Sequence, residues 1–178
     1  MQYKEWMDQV QEGITRTTQD MNYQVLSDFS SKIHKAKRVF LMGQGRTGLV
    51  VEMFAMRLAQ LGLPVFVVSQ PTTPALTGDD LLVLVSGSGE TAEILNAASK
   101  ALEIGAASYA VTQNEDSSLG NLIECILTIP SPPKPTRVLN GTLFELALLI
   151  TFDAVVAELL EITGQGYEEM SERHANIG

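Results

Sequence analysis

The chain has 178 residues, a formal net charge of −9 at pH 7 and a sequence pI near 4.6. The negative charge opposes binding to nucleic acid or to an anionic membrane, so the predicted partner is a small molecule. Cys125 is the only cysteine, and no signal peptide is recognisable at the N-terminus, so we expect a cytoplasmic protein without disulfides or a zinc site. The length suits one domain with its own core.

Within that single domain, 1–178, we expect an N-terminal helical arm at 1–36, an α/β core at 37–163 and a tail at 164–178. Apolar residues recur at helical spacing from Tyr3 to Ile33, which predicts one long helix or two, with a break near Asp20–Asn22. The arm could pack on another subunit or on the chain's own sheet, and the spacing is compatible with both.

Short apolar segments then alternate with helical patterns along the core. Strands are predicted at 38–42, 65–68, 81–85, 108–112 and 125–129, and helices at 49–61, at 90–104 and briefly at 117–121. Such alternation implies right-handed βαβ units. The predicted fold class is therefore α/β, a three-layer α-β-α sandwich around a five-stranded parallel sheet.

The strongest motif follows the third predicted strand, in the sequence LLVLVSGSGET. The glycines allow a tight turn and close approach to a ligand, and the helix that follows turns the positive end of its dipole toward the same place. We interpret the motif as a phosphate cradle. Its predicted ligand-binding residues are Ser86, Gly87, Ser88 and Thr91. Glu90 and Glu93 are interpreted as stabilisers of the first turn of that helix.

The first strand is followed by Gly43-Gln44-Gly45-Arg46-Thr47-Gly48, which matches the dinucleotide pattern G-x-G-x-x-G. A dinucleotide site needs an acidic residue after the second strand, and this chain has Ser69-Gln70-Pro71 there. No nicotinamide cofactor is therefore predicted. We expect Gly45, Arg46 and Thr47 to contact a smaller ligand, although Arg46 could instead form an ion pair or an interface.

A long apolar helix is predicted to start near Gly141, and it carries Glu145. Its apolar stripe is predicted to comprise Leu149, Phe152 and Val156, with Thr151, Glu158 and Glu161 on the opposite side. A carboxylate on an apolar stripe is costly to bury. Glu145 is therefore either paired with a cation or held as a base for proton transfer. Charged residues interrupt this helix, which favours a core helix over a membrane span.

Two further segments are candidates for the site. The proline-rich stretch at 131–135 is predicted to be an extended loop, and Lys134 and Arg137 beside it could reach a phosphate. In the tail, His174 is either simply exposed or brought to a site, within its own subunit or in a neighbouring one.

Together, GQGRTG, SGSGET, AVTQNEDSSLG, GTLFE and the terminal ERHAN resemble the sugar isomerase (SIS) family, which has a flavodoxin-like fold. Within that family they resemble the 6-phospho-3-hexuloisomerases of the ribulose monophosphate route of formaldehyde fixation. The resemblance runs from about residue 38 to 176.

This resemblance implies an isomerase that interconverts 3-hexulose 6-phosphate and fructose 6-phosphate through an enediol, without metal or cofactor. It implies that Ser86, Ser88 and Thr91 hold the phosphate and that Thr47 lies near the ligand. Glu145 would be the catalytic base. His174 would be the second catalytic residue and would assist proton transfer or ring opening. It is expected at a subunit interface of a homotetramer, which would be built as a dimer of dimers. The alternatives are an isomerase of another phosphosugar and a non-catalytic phosphosugar sensor.

Overall fold

Five parallel strands form one sheet in the computed structural model, which describes residues 2–130 and 141–177. The strands are β1 (Val39–Gly43), β2 (Val65–Val67), β3 (Leu81–Val85), β4 (Ala107–Thr112) and β5 (Ile126–Thr128). Their order across the sheet is β2-β1-β3-β4-β5, and every neighbouring pair is parallel. The predicted five-stranded parallel sheet is confirmed.

Seven helices surround this sheet within the described residues. They are α1 (Gln2–Gln19), α2 (Tyr23–Lys35), α3 (Gly45–Gln60), α4 (Ala92–Ile104), α5 (Ser118–Leu122), α6 (Thr142–Thr163) and α7 (Tyr167–Glu172). The core on one face joins the sheet to α2, α3 and α6, and the core on the other face joins it to α4 and α5. This is the predicted three-layer sandwich.

The central strand β3 shows why the sheet needs helices on both faces. All five of its residues are buried; Val83 belongs to the core on one face and Leu84 to the core on the other. Successive side chains of a strand point to opposite faces, so a continuous apolar run is stable only when both faces are covered. The apolar run at 81–85 is therefore the sequence signature of this central position.

The chain reverses direction across the sheet between β1 and β3. From β1 it continues outward to β2, and from β3 it continues the other way to β4 and β5. In an open parallel sheet, this switch point leaves a crevice at the carboxyl ends of the strands. Gly43 of β1, Val85 of β3 and Val111 of β4 are level with one another, so the loops that follow these strands start side by side.

The N-terminal helices cover α6 on a side that the sequence pattern assigned to the polar surface. Thr151, predicted to lie opposite the apolar stripe, is buried with 3% exposure. Its hydroxyl donates to the carbonyl of Ala147 at 2.7 Å and contacts the sulfur of Met21 at 3.4 Å. Ser27 and Ser30 of α2 donate to the carboxylate of Glu158 at 2.8 and 2.7 Å. The two-sided pattern predicted for α6 is wrong because α1 and α2 pack on its second side.

The break predicted near Asp20–Asn22 is confirmed, since α1 ends at Gln19 and α2 starts at Tyr23. The side chain of Asn22 caps α2 by accepting from the backbone N–H groups of Gln24 and Val25. The arm thus packs on its own chain through α2 and the second half of α1. Most of α1 stays exposed, and its buried residues are Gly13 and Thr17.

Among residues 2–130 and 141–177, every helix is too short or too polar to cross a membrane. The predicted proline-rich loop at 131–135, together with Lys134 and Arg137, lies outside the described residues.

At the amino ends of β1 and β3, Arg38 and Asp80 form a bidentate ion pair. Nε and Nη2 of Arg38 donate to the two carboxylate oxygens of Asp80 at 2.7 and 2.6 Å. The backbone N–H and the hydroxyl of Thr77 also donate to this carboxylate, at 2.7 and 2.8 Å. The Asp80 side chain is fully buried. The hydrogen bond from Arg38 is the largest cause that lowers the pKa of Asp80, and the hydrogen bonds from Thr77 lower it further. Together they outweigh desolvation, which raises the pKa, and bring it to about 2.

Replacing Asp80→Asn will lower the free energy of unfolding at pH 7 by roughly 2 to 3 kcal/mol. Because the folded-state pKa lies below the unfolded value, the contribution of Asp80 is present above pH 4 and is lost as the pH falls through about 2. The difference between wild type and variant should therefore shrink below pH 4. Urea unfolding at pH 7, 5 and 3 measures this.

Asp79→Asn is the matched control. Asp79 reaches Lys37 at 3.4 Å with both side chains more than two-thirds exposed, so its loss should change stability by less than about 0.5 kcal/mol. Equal effects of the two substitutions at pH 7 would contradict the role given to Asp80.

Candidate functional site

A cavity of about 410 Å³ opens at the carboxyl ends of β1, β3 and β4, at the switch point of the sheet. Five of the residues predicted for the site line it: Thr47, Ser86, Gly87, Ser88 and Thr91. Gln44, Val85, Gln113, Gly141 and Phe144 complete the lining. The cavity is therefore built mainly from the loops after three strands and from the start of α6.

Three helices begin at this cavity, and within residues 2–130 and 141–177 none of the three is capped by a side chain. Their N-cap residues are Gln44 for α3, Thr91 for α4 and Gly141 for α6, and all three residues line the cavity. By contrast, side chains of Asn22 and Ser117 cap α2 and α5. The first N–H groups of a helix have no partner within the helix, and its N-terminus carries partial positive charge. Three such N-termini at one cavity form a candidate anion site that needs no lysine.

The cradle after β3 adds hydroxyl groups to these backbone donors. The hydroxyls of Ser86 and Thr91 lie 2.9 Å apart, and the Gly89 N–H donates to the Ser86 hydroxyl at 3.1 Å. Gly89 has a φ of 70°, in the left-handed region that glycine tolerates best. A Cβ at Gly87 would lie 3.1 Å from the ring of Phe144. Glycine at 87 therefore lets α6 start directly beside the cradle.

Glu90 has a different role from the one predicted. Helix α4 begins only at Ala92, and the Glu90 carboxylate instead accepts from the backbone N–H and the hydroxyl of Ser118 at 2.8 and 2.7 Å. These hydrogen bonds lower the pKa of Glu90, and the bond from the Ser118 backbone has the larger effect. Glu90 thus ties the end of the cradle to the first turn of α5, and its charge points away from the cavity.

The first loop is shorter than predicted, because α3 begins at Gly45 rather than at 49. A Cβ at Gly48 would lie 2.9 Å from the carbonyl oxygen of Gly43. These two glycines of the G-x-G-x-x-G pattern therefore allow the helix to start against the end of β1. Gly45, with a φ of 57°, and Arg46 lie in the first turn and are exposed, whereas Thr47 lines the cavity.

Glu145 and Arg46 form an ion pair beside the cavity. Nε of Arg46 donates to Oε2 of Glu145 at 2.5 Å. The glutamate side chain is 11% exposed and the arginine side chain 67% exposed. The other carboxylate oxygen lies 3.4 Å from where a Cβ of Gly141, a cavity-lining residue, would stand. Both interpretations of Glu145 therefore apply together, because it is a buried carboxylate with a cationic partner and it lies beside the candidate anion site.

His174 lies away from this cavity. It is exposed and lines a second cavity with Arg57 and Asp153. Its neighbour Arg173 donates to the carbonyl of Gln60, at the end of α3. Arg57 lies about 16 Å along the α3 axis from Arg46, at ~1.5 Å per residue. Within one chain, the structure therefore does not bring His174 to the cradle.

No group of three or more His, Cys, Asp or Glu side chains suitable for a metal ion occurs in the described ranges 2–130 and 141–177.

Gln44, Gln113, Gly141 and Phe144 line the cavity without having been predicted individually as site residues. The position of the two glutamines could have identified them from the sequence. Gln44 directly follows β1 and Gln113 directly follows β4, and ligand-contacting residues of parallel sheets lie at such strand ends. Phe144 looked like any other apolar residue of a core helix, so only its packing on Gly87 reveals it.

The geometry above agrees with comparisons to known proteins. The SIS domain model matches residues 32–154, which is most of the chain and includes the cradle, Arg46 and Glu145. This chain belongs to the SIS domain family. The predicted family and fold are thereby confirmed.

Several relatives at 30% identity or more are named as sugar-phosphate isomerases, which confirms the predicted class of enzyme. A 3-hexulose-6-phosphate isomerase of Mycobacterium gastri is 36% identical over 94% of this chain and 87% of that protein. One of Methanocaldococcus jannaschii is 39% identical over 85% of this chain and 83% of that protein. A crystal structure from Methanococcus jannaschii, described as inferring a function of 3-hexulose-6-phosphate isomerase, has a TM-score of 0.89 and 32% identity; the match covers 98% of this chain and 99% of that one.

Substituting Gly89→Ala should disrupt the cradle, because the new Cβ would lie 2.0 Å from the hydroxyl of Ser117, the cap of α5. We expect a loss of roughly 2 to 4 kcal/mol in the free energy of unfolding, from steric overlap added to left-handed strain. Binding of inorganic phosphate, followed by calorimetry, should weaken in parallel.

Gly105→Ala separates the effect of steric overlap from the effect of left-handed backbone strain. Gly105 ends α4 with a φ of 79°, and a Cβ at this residue would have no atom within 4 Å, so only the strain of about 1 kcal/mol applies. If both alanine variants lost the same stability and both bound phosphate normally, the close packing of Gly89 would not shape the cradle.

Proposed function

We propose that this protein is a 3-hexulose-6-phosphate isomerase, the activity also called 6-phospho-3-hexuloisomerase, which interconverts 3-hexulose 6-phosphate and fructose 6-phosphate. The observation that carries the proposal is one cavity lined by the cradle and by helix N-termini, with the Glu145–Arg46 pair next to its lining residue Gly141. The named relatives support the choice of sugar. In this proposal the enzyme is cytoplasmic and serves the ribulose monophosphate route.

The phosphate group would sit in the cradle. The hydroxyls of Ser86, Ser88 and Thr91 would donate to its oxygens, together with the free N–H groups at the starts of α3 and α4. Because the donors are neutral and fixed by the fold, the phosphate supplies the charge and anchors the sugar. The carbon chain then extends along the cavity wall, past Thr47, toward Glu145.

Glu145 would act as the base. Its carboxylate takes the proton from C2 of the 3-ketose, and the electron pair forms an enediolate across C2 and C3. Return of that proton to C3, with transfer of the C2 hydroxyl proton to the C3 oxygen, gives the 2-ketose, fructose 6-phosphate. Arg46, mostly exposed and already bonded to Glu145, would donate to the oxygen on which negative charge develops.

His174 would serve the transfer between the two oxygens, and it would come from a second copy of the chain. Leu49, Met53 and Met56 form an exposed apolar stripe on α3, with 61%, 47% and 47% exposure. Pairing two α3 helices antiparallel around a two-fold axis beside Met53 buries this stripe. It also brings the end of α3 that carries the His174 region next to Arg46 of the other copy.

A homotetramer would result if two such dimers joined through a second surface. The exposed half of α1 offers one, since Tyr3 and Met7 are 78% and 63% exposed and buried residues of α1 begin only at Gly13. The arm would then pack on its own chain through α2 and the second half of α1, and on a neighbour through the first half of α1.

Glu145→Gln should lower kcat about 10³-fold while the affinity for fructose 6-phosphate changes little, because the amide keeps the shape and cannot take a proton. The assay supplies 3-hexulose 6-phosphate from ribulose 5-phosphate, formaldehyde and a synthase, and follows fructose 6-phosphate. Glu161→Gln, an exposed carboxylate on the same helix, is the control and should keep full activity. A wild-type protein that binds the sugar phosphate without turnover would point to a sensor or to another sugar.

Mixing two inactive variants tests whether His174 acts in the site of the neighbouring subunit. Coexpressed Glu145→Gln and His174→Asn chains form mixed dimers, in which one of the two sites receives an intact Glu145 and an intact His174. Activity should recover to about a quarter of the wild-type level, as expected for random pairing in a two-fold dimer. Activity no greater than the sum of the separate variants would mean that His174 does not act across the interface.

A further inference from the structure

Two glutamines, Gln44 and Gln113, line the cavity beside the cradle and the Glu145–Arg46 pair. Neither side chain has a hydrogen-bond partner among residues 2–130 and 141–177, although each amide can donate two hydrogen bonds and accept two. Amides on the wall of a polar cavity that have no partner within these residues are available to a ligand. Their positions and their chemistry determine which part of a ligand they meet.

Gln44 occupies a position where helix stability favours another residue. It is the N-cap of α3, in an extended conformation, and its side chain does not cap the helix. Ser, Thr, Asn and Asp stabilise such a position, and α2 and α5 use Asn22 and Ser117 there. A residue that does not suit helix stability but lines a cavity is commonly a functional-site residue rather than one that stabilises the fold.

The fold holds the backbone of Gln113 firmly against the cradle. The Gln113 N–H donates to the carbonyl of Gly87 at 3.2 Å. The neighbouring Thr112 hydroxyl lies 3.4 Å from the same carbonyl and accepts from the Asn114 N–H at 3.2 Å. Since the backbone is fixed on both sides, the half-buried side chain enters the cavity from a defined point.

Strand register gives the separation of the two amides. Gly43, Val85 and Val111 are level across β1, β3 and β4, so Gln44 starts beside Ser86, and Gln113 starts one residue further along. Neighbouring strands lie ~4.8 Å apart, so the two glutamine backbones are about 10 Å apart with the cradle between them. An anion in the cradle is thus flanked on both sides by a neutral amide.

We propose that Gln44 and Gln113 determine specificity, by binding hydroxyl groups of the sugar rather than its phosphate. This inference rests on the proposed function and names the feature of the substrate that the site selects: a polyhydroxylated chain attached to the phosphate. Neutral amides donate to and accept from hydroxyls, and they would add little to the binding of a bare anion. A site that hydrogen-bonds hydroxyls rejects analogues that lack them, because its polar groups then stay unpaired.

The experiment compares three ligands by calorimetry: fructose 6-phosphate, glycerol 3-phosphate and inorganic phosphate. Gln44→Leu and Gln113→Leu should each weaken fructose 6-phosphate about 10-fold and leave inorganic phosphate within about twofold. The preference for fructose 6-phosphate over glycerol 3-phosphate should fall accordingly. Gln24→Leu, at an exposed position on α2, is the control and should match wild type for all three ligands.

The outcomes separate the inference from the proposed function. A wild-type protein without preference for fructose 6-phosphate over glycerol 3-phosphate would overturn both. A wild-type preference that survives the two substitutions would overturn the inference alone. Equal weakening of all three ligands, including inorganic phosphate, would also overturn it, because the glutamines would then support the cradle. Thermal unfolding of each variant, expected near the wild-type midpoint, shows that the fold is intact.

Discussion

The whole site depends on three helix N-termini that meet at one cavity. Because the strand order reverses between β1 and β3, the helices α3 and α4 leave the sheet on opposite faces and open a crevice where they start. Helix α6 then brings its own N-terminus to the same crevice. Partial positive charge that would be weak at a single exposed helix end is thereby concentrated on one small volume, which makes this volume a candidate anion site despite the chain's negative net charge.

Glycines make this convergence sterically possible. Gly48 packs on the carbonyl of Gly43, and Gly87 packs on the ring of Phe144. Any larger side chain at these contacts would push α3 from β1, or α6 from the cradle. The glycine pattern thus serves the packing of helices against strand ends, which is one of the roles it has in dinucleotide-binding proteins, here without the acidic residue that such a cofactor requires.

The molecule separates the charges that hold the fold from those that face the cavity. Arg38 and Asp80 join β1 to β3 at the amino ends, with the carboxylate fully buried. Glu90 is turned onto Ser118 and away from the anion site. Glu145 lies beside the cavity, next to Gly141, and its partner Arg46 remains largely accessible to solvent. An ion pair with one exposed member can exchange partners when a charged ligand arrives, whereas a buried bidentate pair cannot do so cheaply.

The sequence by itself determined the sheet and the position of the cradle, because these depend on neighbouring residues: an apolar run and the glycine-rich turn that follows it. Only the tertiary structure decided that Arg46 meets Glu145, 99 positions away, that Gln113 flanks the cradle, and that His174 lies at the far end of α3. The spacing of apolar residues also failed to predict the buried surface of α6, because such spacing indicates one buried face and α6 is covered on two sides. Such contacts follow from how whole helices dock, which local spacing does not encode.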